Sequence, residues 1–215
     1  MANRPDIGNK RSLVLYFEEI KDLEGLLDVA KTPKAHLVGL SRGACIALGF
    51  AAAYPERTAS VIAMGAGFDL DRHLTDFAEQ RIQTMATLRG EGLRAAKEYW
   101  ASLPIFAPAL ENEEVASKID QIMLSYTGTH WVDENPPRDP SLADVVSEIT
   151  ARVLIMVGER DLSGFLVCAD ELVKKIPGSR KEVVREAGHL ISLEAPDETT
   201  AIIDAFPSDS VPKPV

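Results

Sequence analysis

The chain has 215 residues, 23 Lys and Arg against 33 Asp and Glu, a formal charge of −10, and 46% hydrophobic content. That is the make-up of one globular domain, and the acidic balance excludes a protein that grips nucleic-acid phosphates, whose affinity comes from clustered Lys and Arg. Two cysteines, Cys45 and Cys168, are too few for a disulfide framework and point to a reducing, cytoplasmic setting; no signal-like or bilayer-length apolar run is present, so no membrane partner is expected.

Leu13–Ala30 places Leu13, Tyr16, Phe17, Ile20, Leu23, Leu27 and Ala30 at helical spacing, with Glu18, Glu19, Lys21, Asp22 and Glu24 on the other side. Pro33 bars further helix, and Ala35–Leu40 (AHLVGL) reads as a short buried strand. Ser41–Tyr54, rich in Ala and Leu, predicts a helix closed by Pro55. Ser60–Met64 predicts a second buried strand, ended by Gly65 and Gly67, whose role is to turn the chain out of the sheet.

From Asp69 to Pro140 the pattern changes. Tyr99, Trp100, Tyr126 and Trp131 mix with helical spacing and with breaks at Pro104, Pro108 and Pro136-Pro137, as expected of a helical insertion. Arg152–Gly158 (RVLIMVG) returns to the buried-strand pattern. A helix over Phe165–Ile176, a strand at Lys181–Arg185 and a helix over Ala195–Phe206 follow, with Pro207–Val215 as a flexible tail. Strands alternating with helices predict an α/β fold: a mostly parallel sheet with flanking helices, built from 1–68 and 141–206 and interrupted by 69–140.

The strand Ala35–Leu40 runs straight into Gly39-Leu40-Ser41-Arg42-Gly43 and then a helix. A serine on so tight a strand-to-helix turn is held strained and clear of the sheet, near the positive end of the helix dipole. The backbone N–H of Arg42 is then placed to bind a developing oxyanion. The hydroxyl needs a base, because its proton must leave as the oxygen attacks. Of four histidines, His36 lies inside a strand and reads as structural, while His73 and His130 fall in the insertion. His189 follows the last strand, at the carboxyl edge where parallel sheets place their sites, and is the candidate base. The third member must orient the imidazole; Asp161, after Arg152–Gly158, is the candidate, with Asp69 as the alternative.

Together LVGLSRG, VLIMVGERD and EAGHLISLEAPDE resemble the nucleophile, acid and histidine segments of the α/β-hydrolase superfamily, and within it the bacterial esterases and enol-lactonases with a helical cap. The resemblance spans nearly all of Leu13–Phe206. It implies nucleophile Ser41, acid Asp161 and base His189, with Asp69–Pro140 as the cap over the pocket. One departure stands out. Members of the superfamily carry several strands, and a loop that donates a second oxyanion N–H, ahead of the helix that Leu13–Ala30 resembles. Only twelve residues precede Leu13 here, so the sheet is expected to be shortened and the edge of Ala35–Leu40 exposed.

The expected activity is that of a serine hydrolase cleaving a small carboxylic ester, thioester or lactone through an acyl-enzyme on Ser41. The alternative is a non-catalytic ligand-binding or scaffold protein of the same fold. No cofactor and no metal are implied, since no His/Cys ligand spacing or nucleotide-binding glycine pattern occurs. Trp100, Phe106, Tyr126 and Trp131 are candidate pocket walls. The edge of Ala35–Leu40 is expected to be covered by a rearranged N-terminal segment, by residues absent from this sequence, or by a second copy of the chain, which would make a homo-oligomer, most simply of two-fold symmetry.

Overall fold

A computed structural model describes residues 17–132 and 142–206. The start of the first predicted helix, Leu13–Tyr16, and the tail Pro207–Val215 lie outside the described residues, as does the Pro136-Pro137 break. The order is α1 (Phe17–Val29), β1 (Ala35–Leu40), α2 (Arg42–Ala53), β2 (Thr58–Met64), α3 (Leu70–His73), α4 (Thr75–Glu91), α5 (Leu93–Ala101), α6 (Ala107–Leu110), α7 (Glu113–Ser125), α8 (Leu142–Val145), β3 (Arg152–Gly158), α9 (Ser163–Lys175), β4 (Arg180–Val184), α10 (Ile191–Glu194) and α11 (Pro196–Ala205).

The four strands form one parallel sheet in the order β1-β2-β3-β4. Period-two alternation sorts β2 and β3 cleanly between its two faces. Val61, Ala63, Val153, Ile155 and Val157 face a core shared with α2 and α9 through Ala44, Leu48, Phe50, Phe165 and Leu172. Ile62, Met64, Leu154 and Met156 face the opposite side, where Ile191 and Phe206 close a smaller cluster. Burial on both faces is why these two strands read as continuous apolar runs.

β1 departs from the expectation of a buried strand. It pairs only with β2 among the described residues, and of its side chains only Leu37 is buried, while Val38 is 46% exposed. The reason is its place in the order: α2 covers one face, and no described residue continues the sheet beyond it. β4 is the other edge, and only Val184 of its five residues is buried.

Between β2 and β3 the chain runs through α3 to α8. Gly92, at φ 88°, separates α4 from α5, and Asn112 caps α7 by accepting from the N–H groups of Glu114 and Val115 at 2.9 and 3.3 Å. This segment has small apolar clusters of its own, one of Met85, Ala96 and Trp131 and another of Ala109, Val115 and Ile119.

Candidate active site

Because β1 ends at Leu40 and α2 begins at Arg42, one residue must reverse the chain. Ser41 does so at φ 53° and ψ −117°, a conformation that costs a side-chain-bearing residue on the order of 1–3 kcal/mol. Its own N–H donates to the Met64 carbonyl at 2.8 Å, and its carbonyl accepts from Ala44 and Cys45 at 3.0 and 3.2 Å. Gly39 makes the turn possible, since a Cβ there would collide with the main chain of Gly43. The side chain of Ser41 is left half-buried at the amino end of α2, on the positive side of the helix dipole.

Asp161 and His189 arrive from the carboxyl ends of β3 and β4. The loops after β3 and β4 are stitched together: Glu159 N–H donates to the Val184 carbonyl at 2.9 Å, and Arg160 N–H to that of Ala187 at 2.8 Å. His189 Nδ1 lies 2.9 Å from Asp161 Oδ2, and Asp161 Oδ1 accepts the Leu162 N–H at 2.7 Å. Both residues are buried. The Asp161 bond occupies Nδ1, and Nε2 is buried with no hydrogen-bond partner among the described residues. The ring of Phe165 covers the imidazole, their centroids 4.4 Å apart.

Two further groups bear on the imidazole, and the sequence linked neither of them to it. The Glu194 carboxylate accepts from the N–H of Gly188 at 2.7 Å and from that of Leu190 at 2.8 Å, bracketing His189. Gly65 does more than turn the chain: at φ 56° it lies so close that a Cβ would be 2.9 Å from His189 Cε1.

The other candidates sit elsewhere. Asp69, at φ 53°, opens α3, its main-chain carbonyl accepting from Arg72 and His73. The imidazole bond goes to Asp161. His36 Nδ1 is 2.8 Å from Ser60 Oγ, tying β1 to β2. His73 Nε2 lies 3.5 Å from the Glu171 carboxylate, with its ring edge-on to Phe68. The side chain of His130 lies outside the described residues. Among the described residues, no group of three or more His, Cys, Asp and Glu side chains is placed to hold a metal ion.

A cleft of about 230 Å³ opens at Ser41. Arg42, Cys45, Gly67 and Phe165 line it from the sheet side, and Phe77, Arg81, Trp100, Tyr126 and Trp131 from the inserted helices. Phe106 stays behind this wall, edge-on to Trp100 at 6.0 Å. The guanidinium of Arg42 turns to the Glu19 carboxylate on α1.

The pattern of the Alpha/beta hydrolase family matches residues 8–202. A protein of Bacillus subtilis (strain 168), provisionally named 2-succinyl-6-hydroxy-2,4-cyclohexadiene-1-carboxylate synthase, is 29% identical over 210 residues, which cover 87% of this chain and 71% of that protein. A 2-hydroxy-6-oxononadienedioate/2-hydroxy-6-oxononatrienedioate hydrolase of Paraburkholderia phymatum is 26% identical over 172 residues, 78% of this chain and 60% of the relative. Among solved structures, MenH from S. aureus superposes with a TM-score of 0.76 at 26% identity, covering 89% of this chain and 74% of MenH. The enol-lactonase from Burkholderia xenovorans LB400 shares the fold, with a TM-score of 0.74 at 19% identity over 90% of this chain and 73% of its own.

Proposed function

The chain belongs to the alpha/beta hydrolase family, and from that premise we propose that it is a serine hydrolase acting on a small carboxylic ester, thioester or lactone. The observation that carries this reading is the hydrogen bond from His189 Nδ1 to Asp161 at 2.9 Å, at the same sheet end as the strained Ser41. In the proposed reaction, His189 Nε2 takes the Ser41 proton as Oγ bonds to the substrate carbonyl carbon. The tetrahedral oxyanion is received at the amino end of α2 by the Arg42 N–H. Collapse breaks the carbonyl–leaving-group bond, and His189 returns the proton to the departing alkoxide, thiolate or enolate. A water then loses its proton to His189, adds to the acyl carbon and releases the acid, and the proton goes back to Ser41 Oγ. Asp161 stays ionised throughout and holds the tautomer that leaves Nε2 able to accept.

Residues 69–140 are, in this reading, the cap. Support comes from Phe77, Arg81, Trp100, Tyr126 and Trp131, which put five inserted side chains into the cleft that opens at Ser41. A reducing, cytoplasmic setting accords with Cys45 and Cys168 as buried thiols. No helix among the described residues is long and apolar enough to cross a membrane.

Hydrolysis of short p-nitrophenyl esters tests the proposal. The parent is expected to turn them over, and Ser41→Ala to reduce kcat/KM by roughly 10³-fold or more with the same unfolding midpoint. A mutant with parental activity would overturn the assignment of Ser41. An inactive parent would favour a non-catalytic binding role for the same fold.

A further inference from the structure

The cleft at Ser41 carries a charge that its own chemistry does not use. On α4, Phe77, Arg81 and Met85 recur at four-residue spacing and so share one face. Phe77 and Met85 are buried, and Arg81 stands half-buried between them as part of the cleft wall. Among the described residues no hydrogen bond or ion pair engages the Arg81 guanidinium, whereas Arg42 is paired with Glu19. The lining includes Phe77, Trp100, Tyr126, Trp131 and Phe165, and no described carboxylate. A chain of net charge −10 therefore keeps a local positive site where its substrate would enter.

A half-buried guanidinium beside aromatic rings, with no partner among the described residues, is partly desolvated and gains from an anion in the cleft. Its planar fork matches a carboxylate in two parallel hydrogen bonds. At about 230 Å³ the cleft suits a compact ligand. We propose that Arg81 is a specificity-determining residue that binds a carboxylate on the substrate, so that the ester, thioester or lactone cleaved at Ser41 is a small anionic one. This rests on the serine hydrolase reading above and narrows its substrate class.

Paired substrates provide the test: p-nitrophenyl hemiesters of succinic, glutaric and adipic acids against neutral p-nitrophenyl esters of equal chain length. The parent is expected to favour at least one hemiester over its neutral partner by about 10- to 100-fold in kcat/KM, the range of a charge-assisted hydrogen-bond pair. Arg81→Met should bring that ratio down to near unity, and Arg81→Lys should restore part of it, the charge remaining without the fork. A parent that treats both esters alike, or an Arg81→Met protein that keeps the preference, overturns the proposal. If neither ester is cleaved, the serine reading fails by itself and calorimetric titration with glutarate decides the matter of Arg81. Binding lost in Arg81→Met then supports the carboxylate site, and a parent that binds no glutarate rejects it.

Discussion

Gly65 is the residue where fold and proposed chemistry press on each other most directly. A methyl group there would meet His189 at 2.9 Å and would also have to adopt φ 56°. Gly65→Ala is expected to lower stability by about 1–2 kcal/mol, read as a fall in the urea midpoint. Esterase kcat should fall at least tenfold, because the imidazole must move. Glu194 holds the main chain on either side of His189. Glu194→Gln keeps one acceptor oxygen for two N–H donors, so a loss of about 1–3 kcal/mol in stability and a drop in kcat at nearly constant KM are expected. Equal kcat values for parent and Gln variant would leave Glu194 a purely structural group. Ser41, Asp161 and His189 were legible because each follows a strand in a recognisable local pattern. Arg81 and Glu194 were not, since on a helix surface neither differs from any charged residue until the fold shows what it faces. The one available sign for Arg81 was the apolar spacing of Phe77 and Met85 around it.

Among the elements, α9 carries a pH dependence. Burial against the sheet pushes the Cys168 thiol from 9.0 up to about 11, and its Sγ lies 3.5 Å from the Phe68 carbonyl. A thiol with a raised native value favours the folded state fully below its unfolded value, and that contribution is lost as pH rises toward the native one. The urea midpoint of the parent is therefore expected to fall between pH 9 and 11 more steeply than that of Cys168→Ala. Parallel curves would remove Cys168 as the cause. Element types were readable wherever a run was both apolar and bounded. β3 matches Arg152–Gly158 because Gly158 ends an unbroken apolar stretch, and β1 matches Ala35–Leu40 between Pro33 and the turn at Ser41. β2 extends two residues earlier than Ser60 because Thr58 pairs with Ala35 in the ladder, a contact no local pattern announces. The insertion was legible only as helical. The division of α4 from α5 at Gly92 depends on a backbone angle, and Gly90 in the same stretch stays inside α4.

At the scale of the whole molecule, β1 is an open edge of the sheet among the described residues. The outer edge of β1 pairs with nothing among the described residues, and Val38 beside it is 46% exposed. Unpaired N–H and C=O groups beside apolar side chains are a template for strand addition. Self-association through this edge is the expected outcome, and two-fold symmetry is its commonest form. Sedimentation equilibrium should then give twice the 23.4 kDa chain mass, reduced to the monomer by Val38→Lys. A parent that sediments as a monomer at high micromolar concentration would contradict this.

Covalent labelling with a fluorophosphonate, read by intact mass and peptide mapping, asks directly whether Ser41 is an activated nucleophile. An activated serine displaces fluoride and keeps the phosphonyl group, whereas an ordinary hydroxyl does not react on the same timescale. One adduct per chain is expected on the peptide that contains Ser41, with no adduct on Ser41→Ala and labelling slowed at least a hundredfold in His189→Ala. An adduct on any other residue, or equal labelling of the parent and His189→Ala, would contradict it.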